Sequence, residues 1–235
     1  MPLPKLDTPV HTLELPSTGE EIKFRPFLIK EQKLLMIAQE SEDDKQIFEA
    51  MKTIINSCTF DKVDAVTAPL FDVEYIFLKL RAKSVGEHAK VKILCPDDEE
   101  TYVDVNVDLD KIDIQMTEGH TNVVQLNDKI KLVMKYPQLP DMKNITVNTN
   151  NIDSVFSILK HCIWEVHDGD TIYNRVDISD KDIEDFIGSF DTSQFERVME
   201  FFNGMPKLRH TIKVKNPKTK VQSEVVLEGL QSFLE

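Results

Sequence analysis

A chain of 235 residues is long enough for one large domain or two small ones, each with a core of its own. Its 41% hydrophobic and 29% charged residues are the proportions of a soluble globular protein rather than of a disordered or fibrous one. Against 41 acidic side chains there are only 28 basic ones, and the resulting charge of −13 excludes binding to phosphate backbones through the surface as a whole.

Thr12 to Phe27 predicts a hairpin. Leu13 and Leu15 alternate with polar neighbours, Pro16-Ser-Thr-Gly19 supplies a turn, Ile22 and Phe24 resume the alternation, and Pro26 closes it. Lys30 to Gln39 follows as a helix with Leu34, Leu35 and Ala38 on one face. The acidic break Glu40-Ser-Glu-Asp-Asp44 offers an N-cap for a second helix, whose Ile47, Phe48, Met51, Ile54, Ile55 and Cys58 keep amphipathic spacing. A third helix runs from Leu70 to Lys83, apolar through Phe71, Tyr75, Leu78 and Ala82, with Ile76, Phe77 and Leu80 widening that stripe and Gly86 ending it. Val91 to Leu109 alternates again, turning at Pro96-Asp-Asp-Glu.

A similar order then recurs. Asn122 to Tyr136 predicts a hairpin around Asn127-Asp128, and the irregular stretch Pro137 to Asn150 follows it. Helices are expected over Ile152 to Val166, Asp180 to Phe190 and Thr192 to Phe202, with Ser179 or Asp180 as a cap. Leu208 to Leu227 closes the chain as a hairpin around Asn216-Pro217-Lys218. The expected class is α+β, in two similar modules of hairpin, helices and hairpin, over residues 1–111 and 120–235. Their join falls near Ile112 to Gly119, and the recurrence suggests an internal duplication.

No motif of catalysis or cofactor binding stands out. The seven glycines never cluster into a phosphate-cradling loop, and no serine occupies a G-x-S-x-G elbow. His161 and Cys162 are adjacent in a helical pattern and so point to different faces. Asp168-Gly-Asp170 is a turn dipeptide rather than a calcium loop, because its glycine follows the first Asp directly. Cys95-Pro96-Asp97-Asp98 is half of a zinc knuckle, with Asp98 standing where the second thiolate belongs. The expectation is therefore no catalytic residues, no metal site and no cofactor. Three widely spaced cysteines suit reduced thiols, Cys58 and Cys162 being buried and inert. The N-terminus lacks the apolar stretch of a signal peptide, and no apolar run approaches the roughly 18–20 residues of a membrane span. Six basic residues between Lys207 and Lys220 read as a solvated strand edge.

Phe195-Glu-Arg-Val-Met-Glu-Phe-Phe202, Asn203-Gly-Met-Pro-Lys-Leu-Arg-His210 and Val226-Leu-Glu-Gly-Leu-Gln-Ser-Phe233 resemble the baseplate hub proteins of T-even-type contractile phages. In the first half, Phe24-Arg-Pro-Phe-Leu-Ile-Lys-Glu-Gln-Lys33 and Tyr75-Ile-Phe-Leu-Lys-Leu-Arg-Ala-Lys-Ser-Val-Gly86 are similar to the same family. The resemblance implies a non-enzymatic structural or assembly component of the tail baseplate hub, assembled in the host cytoplasm. Its partners would be other hub and tail proteins, with no role for nucleic acid or membrane, and its oligomeric state stays open. The alternatives are an assembly chaperone absent from the mature virion and a baseplate-associated hydrolase. Relatives with paired cysteines at the hairpin knuckles differ from this chain, which keeps only Cys95.

Four residues stand out as candidates for binding partners. Phe201 lies off the helical stripe of Phe195, Val198, Met199 and Phe202. Leu230, Phe233 and Leu234 continue the 3,4 spacing of Leu227 close to the chain end, where segments fray unless something holds them. The competing expectation is that Phe233 and Leu234 fold back onto the Phe195–Phe202 helix.

Overall fold

The computed structural model describes residues 6–41, 43–144 and 152–233. The chain forms two compact units, one from residues 1–115 together with 207–235 and the other from 116–206. Both mix helices with small antiparallel sheets, as the α+β reading expects.

The first unit opens with a hairpin of β1 (His11–Glu14) and β2 (Glu21–Phe24), in which Leu13 pairs with Ile22 on the buried side. Three helices follow: α1 (Ile29–Ser41), α2 (Asp44–Cys58) and α3 (Leu70–Ser84). Asp43 from the acidic break caps α2, accepting from the Lys45 amide at 2.9 Å. A second hairpin, β3 (His88–Leu94) with β4 (Tyr102–Asp108), leads to the short strand β5 (Asp113–Gln115).

Helix α3 is the centre of this unit. Phe71, Val73, Ile76, Phe77, Leu78, Leu80 and Ala82 are all buried, so the helix is covered on every side rather than along one stripe. Three of its polar residues fasten it to neighbouring segments. Asp72 accepts from the amide of Ser17 at 3.0 Å and from its hydroxyl, which ties down the first hairpin's turn. Buried Lys79 donates to the carbonyls of Asp110 at 2.8 Å and Ile112 at 3.0 Å, and Lys83 pairs with Asp110 at 2.6 Å.

The second unit holds a four-stranded sheet in the order β6 (Val123–Gln125), β7 (Ile130–Met134), β8 (Ile163–Asp168), β9 (Thr171–Asn174). The register sets Val124, Leu132 and Val166 in one row, and all three are buried. They share a core with α4 (Ile152–Cys162), α5 (Asp180–Gly188) and α6 (Thr192–Gly204) through Leu159, Cys162, Ile183, Ile187, Val198 and Phe201. Ser179 caps α5, and Asp191 with Gln194 forms a reciprocal capping box on α6.

Three sequence expectations need correction or qualification. The helix expected to Val166 ends at Cys162, because Ile163-Trp-Glu-Val-His167 is a β-branched and aromatic run and Asp168-Gly-Asp170 turns it into a hairpin with β9. The second half therefore reads hairpin, helix, hairpin, two helices, hairpin, and an internal duplication is not confirmed. The closing hairpin, β10 (Lys207–Lys215) with β11 (Gln222–Glu228), does not sit with residues 120–206. Lys207, Leu208 and Arg209 pair with Gln115, Ile114 and Asp113 of β5, so the chain leaves the first unit and re-enters it on neighbouring strands.

After β11 comes a 3₁₀ turn, Leu230–Phe233, that packs against α3, β3 and β11. Gly229 adopts φ +75°, and the Leu230 amide then donates to the Glu74 carboxylate of α3 at 3.3 Å. Burial pushes the Glu74 carboxyl up to about 7, against an ordinary 4.5; Leu230 lowers it and Glu228 nearby adds repulsion. Between those two pH values the folded protein retains a proton that the unfolded chain releases. Stability accordingly falls as pH rises through that window, by at most about 3 kcal/mol. Glu74→Gln keeps a carbonyl acceptor for Leu230 without the titration. Its melting temperature should match wild type near pH 4.5 and exceed it by several degrees at pH 8. Identical pH profiles for the two proteins would contradict this assignment.

Candidate contact surfaces

The four residues singled out for partner binding fall in different places. Phe201 is 3% exposed and lies in the core of the second unit, stacked on Tyr136 at 5.6 Å and edge-on to Phe202 at 5.1 Å. The buried side of α6 is Val198 with Phe201, while Phe195 and Phe202 are only partly buried; the stripe is rotated from the one the sequence suggests. Leu230 at 5% and Phe233 at 0% exposure belong to the core of the first unit. Their neighbour is α3 rather than the Phe195–Phe202 helix. Leu234 lies outside the described residues.

Exposed apolar side chains gather elsewhere. On α1, Glu31 and Ala38 face inward and Leu34 and Leu35 are half-buried, whereas Ile29, Met36 and Ile37 are 79%, 53% and 49% exposed. With Gln32, Lys33 and Glu40 they line one shallow groove. The signal was present in the sequence. Ile29, Met36 and Ile37 keep helical spacing on the side opposite Leu34, Leu35 and Ala38, so this helix is apolar on two faces. In the second unit, Val123, Trp164, Ile172 and Tyr173 are also exposed on the sheet.

A cleft in the second unit is lined by His120, Gln125, Arg197, Glu200, Phe201 and Gly204, among others. Arg197 is committed to its own chain, donating to the Leu126 carbonyl at 2.9 Å and that of Gln125 at 3.3 Å. The His120 ring lies against Phe201 and Tyr136, and burial lowers its pKa, so the imidazole is neutral at physiological pH. Gly204 ends α6 where a Cβ would come within 3.1 Å of His120 Nδ1.

The half-knuckle at Cys95 has a different fastening. Asp97 accepts from Asn216 Nδ2 at 3.0 and 3.1 Å and from the Thr219 hydroxyl, joining the β3–β4 turn to the β10–β11 turn. Asn216 Oδ1 in turn accepts from the Lys218 amide at 2.8 Å. These hydrogen bonds hold Asp97 below the usual carboxylate range. Among the described residues no three His, Cys, Asp or Glu side chains converge to hold a metal ion. All three cysteines are buried free thiols; burial pushes Cys58 up to about 11 and raises Cys162 further.

The family model for the T4 bacteriophage base plate protein matches residues 8–235, nearly the whole chain and both units. The chain belongs to this base plate family. Comparison with curated proteins and with solved structures gave no match. As a base plate protein of a T4-type phage, it matches the family from β1 through the closing hairpin and the turn after it.

Whether the tail of this base plate protein is core or contact can be decided by one substitution. Phe233→Ala removes a fully buried aromatic and should cost about 3–5 kcal/mol, lowering the melting temperature of the isolated protein by many degrees. An unchanged melting temperature would mean that the tail is not packed in the free protein.

Proposed function

We propose that the protein is a non-enzymatic component of the baseplate hub of a contractile tail, working through contacts with other hub and tail proteins. The match to the base plate family over residues 8–235 carries this reading. The titratable groups support it. Among the described residues the carboxyls raised by burial are Asp72 and Glu74, and both are engaged in packing contacts, with Ser17 and with the Leu230 amide. A hydrolase working with two carboxylates needs them free across a cleft, about 5–9.5 Å apart.

The basic run of the closing hairpin also serves the fold. Lys207 and Arg209 pair with Glu228, Lys213 with Glu224, and Lys218 with Glu100. Cations engaged in this way do not form a phosphate-binding stripe, which favours protein partners over nucleic acid. Among the described residues no helix is long and apolar enough to cross a membrane.

The excess of acidic side chains is the observation that favours a second reading, an assembly chaperone that leaves before the tail is finished. Strong net charge keeps a protein soluble and resists nonspecific association. Quantitative mass spectrometry of purified infectious particles separates the two. The hub-subunit reading predicts the protein in mature tails at a fixed copy number per baseplate. Absence from particles, with tails failing to assemble when the gene is deleted, would overturn it in favour of the chaperone. Normal infectious particles from the deletion would overturn both.

A further inference from the structure

We infer that the outward face of α1 is a self-complementary docking surface on which a second copy of this chain pairs antiparallel about a two-fold axis. Ile29, Lys33, Met36, Ile37 and Glu40 recur at helical spacing along one exposed face. A helix face that looks only at water is normally charged, and three large apolar side chains at this density mark a surface that is covered in use.

The order of charges identifies the occupant. Lys30 and Lys33 stand in the N-terminal half of α1, Glu40 stands at its end and Asp43 lies just beyond it. The last turn holds no basic residue. For an isolated helix this order is unfavourable, since the macrodipole prefers acids at the start and bases at the end. Two copies laid antiparallel, with the axis between Met36 and Ile37, reverse that penalty. Met36 then faces Ile37 of the second copy, Lys33 faces Glu40, and Lys30 comes level with Asp43. By symmetry each match is made twice. Among the described residues, neither Lys33 nor Glu40 has an ion-pair partner in its own chain. Among the described residues Lys30 forms an ion pair with its neighbour Glu31, at 3.4 Å. Met36 at the axis supplies an adaptable thioether that packs against a β-branched residue without strict shape demands.

The net charge of −13 repels a second copy at long range. At about 150 mM salt the Debye length is roughly 8 Å, so this repulsion is screened while pairs in direct contact are not. The dimer is a property of the chain itself, separate from its place in the baseplate.

Sedimentation analysis of the full-length protein at that ionic strength, over about 1 to 200 µM, tests it across the range of a modest interface. Wild type should show a monomer–dimer equilibrium. Lys33→Glu and Glu40→Lys, each setting like charges opposite one another, should each weaken it by roughly tenfold. The double variant K33E/E40K should return to within about threefold of wild type, because only an antiparallel two-fold arrangement restores both pairs. Met36→Glu with Ile37→Glu should give a monomer. All these side chains are exposed, and unchanged thermal melts would show that the variants fold. A wild type monomeric throughout would overturn the inference. So would a dimer indifferent to these substitutions, or a double variant no better than the single ones.

Discussion

The first unit depends on burying α3 on all sides. A helix with a single apolar stripe can rest on one neighbour, but a helix carrying Phe71, Val73, Ile76, Phe77, Leu78 and Leu80 around its circumference has to be surrounded. Each of these side chains contributes about 1.5–3 kcal/mol when removed from water, so the chain gains by supplying cover from several directions. The polar residues of the same helix decide where that cover attaches. Asp72 holds the turn of the first hairpin, Lys79 and Lys83 hold the approach to β5, and Glu74 receives the C-terminal turn. Each of these groups would be costly if buried alone. Hydrogen-bonded as they are, they fix the position of one covering segment apiece.

This requirement explains the path of the chain. Residues 11–115 leave α3 incompletely covered, and the missing piece is supplied by β10 and the final 3₁₀ turn, with β11 pairing β10 from its other side. The second unit is inserted between β5 and β10, whose ends pair at Gln115 and Lys207. An insertion that leaves and returns on adjacent hydrogen-bonded strands can keep its own core without disturbing the host, which is the usual condition for tolerated insertions. The second unit meets that condition with its separate cluster of Leu132, Leu159, Ile183, Val198 and Phe201.

Several local signals are legible in the sequence because they have local causes, although the run Ile163–Asp168 forms a strand where a helix is expected. The turn at Pro16–Gly19, the cap at Asp43, the cap at Ser179 and the Asn127 turn all follow from residues that act within a few positions of themselves. Long-range closure was not legible in the same way. Nothing in Lys207–Glu228 states that its partner is β5 rather than a strand of the preceding ninety or so residues, because antiparallel pairing adds no signal to either strand alone. The C-terminal stripe of Leu227, Leu230 and Phe233 was legible as apolar but not as core. Composition at a chain end cannot tell a docked tail from a free one; Glu74 and Gly229, far apart in sequence, make that choice. Family membership was legible in the sequence, and the family match over residues 8–235 agrees with it.

In this base plate protein α3 is buried within the first unit, and exposed apolar side chains lie on α1 and on the sheet of the second unit. The exposed side of α1 and the sheet of the second unit are positioned by cores that close within each unit. Amide hydrogen exchange on the full-length protein tests this organisation most directly. If the closing segment completes the shell around α3, amides of α3, β10 and β11 should exchange together in the slowest class, with protection extending to the Leu230–Phe233 turn. Exchange of residues 207–233 at the rate of a frayed terminus, or in step with 116–206 rather than with α3, would contradict it.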